Sequence, residues 1–181
     1  MLGKSLGVHV VCETTQNHPF LETVYHDAGR YDLQVELAFL LLHSAAYRQI
    51  PGERVTVTDF SPTKDRFFAE GLLSGSDLDL FERVYSQLYA GKPQPETVVF
   101  LDAAPDLCME RVRQRLSRDP TRRFEEGLEM GRLQRMRDIY LSRVHELGQR
   151  VLRLPISADL SEVDVVDRLL ELLDTEASIG D

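Results

Sequence analysis

The stretch Thr97-Val-Val-Phe-Leu101-Asp102-Ala-Ala-Pro105-Asp-Leu-Cys108 decides the fold. Its apolar run from Thr97 to Leu101 suits a parallel strand buried on both faces. Pro105 is placed to open a helix that carries Leu107, Met109 and Val112. Upstream, Arg54 to Thr58 alternates as a strand does, and Ser76 to Tyr89 is amphipathic, with Ser76, Asp77 and Asp79 as cap and dipole partners. Further upstream, Gly7 to Cys12 is β-rich, Pro19 breaks helix, and a long helix runs from Tyr31 to Gln49, where Pro51-Gly52 stops it. Downstream, Asp119-Pro120 interrupts the helix begun at Pro105. A helix from Glu125 to Leu147, a strand from Val151 to Ile156 and a helix from Glu162 to Leu173, capped by Ser161, follow. This alternation predicts an α/β fold, a parallel sheet with helices on both faces.

Composition narrows the class. The 181 residues form one domain, residues 1–181, long enough to bury a core without staples. Two cysteines, Cys12 and Cys108, make no disulfide framework, so a reducing, cytoplasmic setting is expected. The longest apolar run, Leu37 to Leu42, is too short to span a membrane. The balance of 21 basic against 30 acidic residues excludes wholesale coating of nucleic acid. Charge is nevertheless uneven: Arg111 to Arg123 holds six arginines and one acid, whereas Asp159 to the end holds eight acids and one base. A basic cluster in an acidic chain points to an anion site or a solvated helix face. No cluster among the five histidines and two cysteines has metal-ligand spacing, so no protein-held metal is expected.

In parallel sheets ligands bind at the carboxyl ends of strands. Glu13, Asp59 and Asp102 each follow a predicted strand, where an acid either does chemistry or caps the next helix. Gly3-Lys4-Ser5 does not read as a phosphate loop. Only Met1 and Leu2 precede it, and Gly7 with a strand follows at once, so no helix N-terminus faces a phosphate. Leu2 to Leu6 reads as the last turn of a helix closed by Gly7.

The order of motifs resembles the deoxynucleoside kinase family, in its bacterial deoxyadenosine/deoxyguanosine kinase form. The residues that carry it are Glu13-Thr-Thr, Asn17-His-Pro-Phe-Leu21 with Tyr25, and Gln34-Val-Glu-Leu-Ala-Phe39-Leu40. They continue with Asp59-Phe60, Lys64 and Phe68-Ala69, Val98-Val-Phe-Leu-Asp102, and Arg111-Val-Arg-Gln-Arg115 with Arg122-Arg-Phe-Glu125. Leu133, Met136 and Tyr140 keep the spacing of the helix after the family's lid. The chain departs from the pattern at His18, inserted in the Asn-Pro-Phe-Leu run, at Val24, and at Phe60, where relatives carry arginine or tyrosine.

The resemblance implies a P-loop nucleoside/nucleotide kinase-like fold, with a lid at residues 111–127. It also implies that the chain lacks the family's first strand-P-loop-helix unit, roughly 30 residues that supply the central strand. The implied activity is ATP-dependent phosphorylation of the 5′-hydroxyl of a deoxynucleoside, impaired without that loop, with ATP and Mg2+ as cofactors. The implied roles are Glu13 and Asp59 in catalysis, Tyr25 and Glu125 on the sugar 3′-hydroxyl, and Gln34 on the base. Arg111, Arg115, Arg122 and Arg123 would bind phosphate. Lys64 would replace the cation lost at Phe60. A homodimer, or pairing with a paralogous kinase subunit, is the implied assembly, and a kinase-like nucleoside-binding or regulatory subunit is the alternative function. A nucleoside monophosphate kinase would want an arginine in place of the Tyr25 and Glu125 pair.

Overall fold

A computed structural model describes residues 8–13, 18–21, 29–51, 55–148 and 150–177, without the side chains of 162 and 172–177. The turn expected at Leu2 to Gly7, and Tyr25, lie outside these residues. In chain order the elements are β1 (His9–Val11), α1 (Asp32–Tyr47), β2 (Thr56–Thr58), α2 (Pro62–Leu72), α3 (Gly75–Tyr89), β3 (Thr97–Ala103) and α4 (Pro105–Arg118). A 3-10 segment (Pro120–Gly127), α5 (Met130–Ser142), a short 3-10 turn (Val144–Glu146), β4 (Arg150–Ile156) and α6 (Glu162–Ala177) complete the chain.

All described strand pairing is parallel, as the alternation predicts, but the sheet is in two halves. β1 pairs with β2, Val10 opposite Val57, and β3 pairs with β4, Val99 opposite Leu152. No described strand joins β2 to β3. Each half has its own core. Leu40 of α1, Ala69 of α2, and Phe81 and Tyr89 of α3 form one. Leu154 and Ile156 of β4 and Leu169 of α6, with Leu107 of α4 against them, form the other. Helix α5 packs on both α2 and α4. Its Tyr140 stacks on Phe100 of β3 at 5.6 Å and meets Phe67 of α2 edge-on at 5.4 Å. Gly71 permits the α2–α5 approach, because a Cβ there would lie 2.9 Å from the Met136 sulfur.

Helix α2 is not among the elements read from the sequence. Ser61 caps it through the Lys64 amide and Pro62 occupies its first turn. The cap residue of α3 is Ser74 rather than Ser76. The helix expected from Glu125 to Leu147 is shorter, broken into the 3-10 segment, α5 and the 3-10 turn, because Leu128 and Glu129 adopt extended backbone. Ser161 caps α6 as expected: its hydroxyl accepts the Asp164 amide at 3.2 Å, and Asp164 accepts the Ser161 amide at 2.8 Å.

Candidate active site

Glu13 lies two residues after β1, and its position is fixed by backbone and side chain together. Its amide donates to Asp59 Oδ1 at 2.6 Å, tying the ends of β1 and β2. Its Oε1 accepts from Lys64 Nζ at 2.6 Å and from His43 Nε2 at 2.8 Å. Among the described residues nothing donates to Oε2. Lys64 is delivered by the first turn of α2 and His43 by the last turns of α1.

His43 is 1% exposed and lies between two carboxylates, with Nδ1 2.7 Å from Asp65 Oδ1. A ring with a carboxylate at each nitrogen donates from both and is an imidazolium. Burial alone would lower its pKa, but the bonds to Asp65 and Glu13 outweigh that and raise it to about 9. Burial likewise pushes Glu13 up, and His43 and Lys64 overcome it, drawing the carboxyl down to about 2. Phe60 stacks on the His43 ring at 4.6 Å. The positive charge around Glu13 comes from His43 and Lys64. His18 is a core residue: Nε2 donates to the Val35 carbonyl at 3.0 Å and Nδ1 accepts the Phe20 amide at 3.2 Å, a neutral ring whose pKa burial lowers.

A cavity of about 250 Å³ opens beside Glu13. Lys64 and Phe68 of α2 and Glu36 and Phe39 of α1 form one side, and Arg115 of α4 and Glu125 of the 3-10 segment face them. Arg122, Phe124 and Arg132 of α5 also reach it. Glu125 is 4% exposed: Arg115 Nη2 donates to its Oε2 at 2.7 Å and Arg122 Nε to its Oε1 at 3.0 Å. Glu36 is 3% exposed, and among the described residues no group hydrogen-bonds its carboxyl. Burial and the nearby Asp65 charge raise its pKa to about 8.

The chain matches the family described as "Deoxynucleoside kinase" over residues 1–172. It belongs to the deoxynucleoside kinase family. Members of this family are phosphotransferases, and the chain is therefore an enzyme of that class. It is 22% identical over 154 residues to a deoxyguanosine kinase of Bacillus subtilis (strain 168), covering 82% of this chain and 72% of that protein. A Dictyostelium discoideum deoxyadenosine kinase is 25% identical over 183 residues, covering 97% of this chain and 71% of that protein. A Dictyostelium deoxyguanosine kinase is 27% identical over 125 residues, 63% of this chain and 44% of that protein. In fold, the chain is similar to deoxyadenosine kinase from M. mycoides with bound dATP, at TM-score 0.77 and 15% identity, covering 96% of this chain and 90% of that one. The same kinase with bound dCTP aligns at TM-score 0.76, 15% identity and 96% and 89% coverage.

The structure gathers some of the residues that the kinase resemblance singled out and scatters others. Glu13, Lys64, Arg115, Arg122 and Glu125 line one cavity, and Asp59 holds Glu13 from behind. Arg111 and Arg123 are exposed and do not line it. Gln34 is exposed and does not line the cavity, whereas Glu36, two residues on, is buried in its wall. Successive helical positions turn by about 100°, so residues 34 and 36 face different ways and only one can line the pocket. His43 and Asp65 were not anticipated. The signal for His43 is its seven-residue spacing from Glu36, two turns on the same face of an otherwise apolar helix. Among the described residues no group of three His, Cys, Asp or Glu side chains could hold a metal, and no helix is long and apolar enough to cross a membrane.

Proposed function

We propose that the chain binds a deoxynucleoside in this cavity and moves the γ-phosphoryl group of ATP onto its 5′-hydroxyl. The observation that carries the proposal is the state of Glu13: a carboxylate at a strand end, ionised by two cations on Oε1, with no donor on Oε2 among the described residues. The hydroxyl proton passes to Oε2 as the 5′-oxygen bonds to the γ-phosphorus and the bond from that phosphorus to the bridging oxygen of ADP breaks. A carboxyl held near 2 is a weak base. Glu13 therefore acts chiefly by aiming the hydroxyl, and takes its proton late, as suits a loose phosphoryl-transfer transition state.

Glu125 is the candidate for the 3′-hydroxyl, with Tyr25 as its expected companion. Arg115 and Arg122 are both committed to Glu125 in the structure. In this reading a sugar hydroxyl on Glu125 releases guanidinium donors toward the phosphates, which couples nucleoside binding to closure of residues 111–127. Mg2+, which stabilises charge on the transferred phosphoryl group when bound, would take Asp59 as its protein ligand and the nucleotide phosphates for the rest. The expected setting is cytoplasmic. The expected dimer would use the outward side of α1, where Leu41 is 54% exposed.

A second reading is a nucleoside-binding or regulatory subunit. It is favoured by one observation: Arg115 and Arg122, the phosphate candidates that line the cavity, are both bound to Glu125. Transfer from labelled ATP to each of the four deoxynucleosides, with calorimetric binding of the same four, tests both. Binding with transfer establishes the kinase. Binding without transfer establishes the subunit. Absence of both overturns the nucleoside site.

A further inference from the structure

His43 is a buried ionisable group to which the phosphoryl transfer just described gives no step of its own. Its ring does not line the cavity, so it meets Glu13 from behind rather than a bound molecule. Faces and edges of the ring are both occupied. Phe60 stacks on it at 4.6 Å, and Phe39 lies tilted against it at 5.7 Å. Each nitrogen is held by a carboxylate, Nδ1 by Asp65 Oδ1 at 2.7 Å and Nε2 by Glu13 Oε1 at 2.8 Å. A ring fixed in this way cannot turn, and it restrains the carboxyl to which it donates. Lys64 donates to the same oxygen, but its ammonium is partly exposed and sits on a flexible stem. His43 is the rigid donor of the two.

Asp65 makes the arrangement costly. It is buried at the edge of the cavity, and among the described residues its Oδ2 has no hydrogen-bond partner. Burying a carboxylate for a single bond is unfavourable. An amide oxygen there would accept from Nδ1 without a buried charge. What the carboxylate adds is a second anion, which keeps the ring an imidazolium with Nε2 directed at Glu13. A charged donor makes the stronger bond. A carboxylate behind a histidine orients the ring and stabilises its charge in the same way in hydrolytic triads. Resting on the deoxynucleoside reading above, we propose that Asp65 and His43 are positioning residues of the transfer. Asp65 holds the His43 ring charged, and the ring locks the Glu13 carboxyl in the orientation that aims the 5′-hydroxyl. Both act through Glu13.

Steady-state transfer from ATP by the full chain, to whichever of the four deoxynucleosides it phosphorylates fastest, tests this, with rates normalised to folded protein. An asparagine amide stands in for Nδ1 of histidine and a glutamine amide for Nε2. His43→Asn keeps a partner for Asp65 and loses the bond to Glu13. Its kcat is expected to fall about 10- to 100-fold, with KM for the deoxynucleoside within about twofold. His43→Gln keeps a donor for Glu13 and should recover about tenfold of that loss. Asp65→Asn keeps the ring in place without the second anion and should lower kcat about tenfold. In a Glu13→Gln background either Asn variant should lower kcat by less than about twofold, because the group it acts through is gone. The Asp65→Asn cycle carries the test where His43→Asn does not fold. Losses carried by KM, equal losses in His43→Asn and His43→Gln, or full additivity with Glu13→Gln overturn the positioning role and leave the kinase standing. Absence of transfer by the unsubstituted chain overturns the phosphoryl-transfer reading, and the positioning role with it.

Discussion

Glu13 and Asp102 look alike in sequence and differ in what surrounds them. Each is an acid at the carboxyl end of a parallel strand, one in each half of the sheet. Asp102 is 7% exposed and both its oxygens are taken, Oδ1 by Arg137 at 2.9 Å and Oδ2 by Arg153 at 3.0 Å. Glu13 receives its two cations on Oε1, lines a cavity, and among the described residues has no donor on Oε2. A saturated carboxylate holds a structure together, and one with an oxygen to spare can meet a substrate. Position after a strand nominates a functional acid, and the count of unoccupied lone pairs decides.

The largest expected effect separates the two directly. Glu13→Gln should lower phosphoryl transfer to the 5′-hydroxyl by about 100-fold or more, the usual loss with a positioned base. Asp102→Asn should leave turnover per folded molecule within a factor of two or so. Initial rates at saturating substrate, normalised to folded protein, check both, and equal losses would erase the distinction.

Stability should reverse the ranking. Asp102→Asn leaves two guanidinium groups short of a charged partner and is expected to cost about 1–3 kcal/mol, read as a lower urea midpoint. Arg137 and Arg153 are partly exposed, so solvent makes up part of the loss.

The Glu13 cluster, unlike Asp102, should make stability depend on pH near neutrality. His43 goes from an ordinary 6.5 to about 9 in the fold, so its contribution is complete below 6.5 and is lost as pH rises through 9. Glu36, raised from 4.5 to about 8, favours the fold in its protonated form, fully below 4.5, and loses that advantage as pH rises from 4.5 through 8. Glu13, lowered from 4.5 to about 2, stabilises above 4.5 and stops doing so as pH falls toward 2. Thermal midpoints should therefore peak near pH 4.5 and fall as pH rises to 9. Glu36→Gln should flatten part of the alkaline fall and His43→Asn much of the remainder. A flat midpoint from pH 6 to 9 would mean that the cluster is solvated.

The smallest expected effect extends the comparison to a third acid. Asp164 is occupied by Ser161 in the cap of α6 and does not line the cavity. Ser161→Ala should cost about 1 kcal/mol and leave deoxynucleoside affinity unchanged.

The sequence carried the strands well, because Thr97 to Leu101 and Val151 to Ile156 are apolar and β-rich enough to need no context. It carried Glu13 and Glu125 through motif order. It hid α2, whose apolar residues are few and whose interior holds Gly71. Yet Ser61-Pro62 is a helix start, and α2 delivers both Lys64 and Asp65. It placed the base contact on Gln34 by matching the family's glutamine, and the structure leaves Gln34 exposed and off the cavity. The buried face of α1 runs through Val35, Glu36, Leu40 and His43, and Gln34 lies off it. Asp65 and His43 lie 22 residues apart in sequence, and only the packing of α1 on α2 brings them within 2.7 Å.

The divided sheet has a consequence for how the molecule comes apart. No backbone ladder crosses from β2 to β3 among the described residues, and side-chain packing through α5 is the main tie between the halves. The cavity draws walls from both. A molecule bound there adds a second tie between the two halves. The empty protein is expected to melt in two separable steps and the loaded one in a single sharper step, so the ligand supplies part of the cooperativity that a continuous sheet would provide.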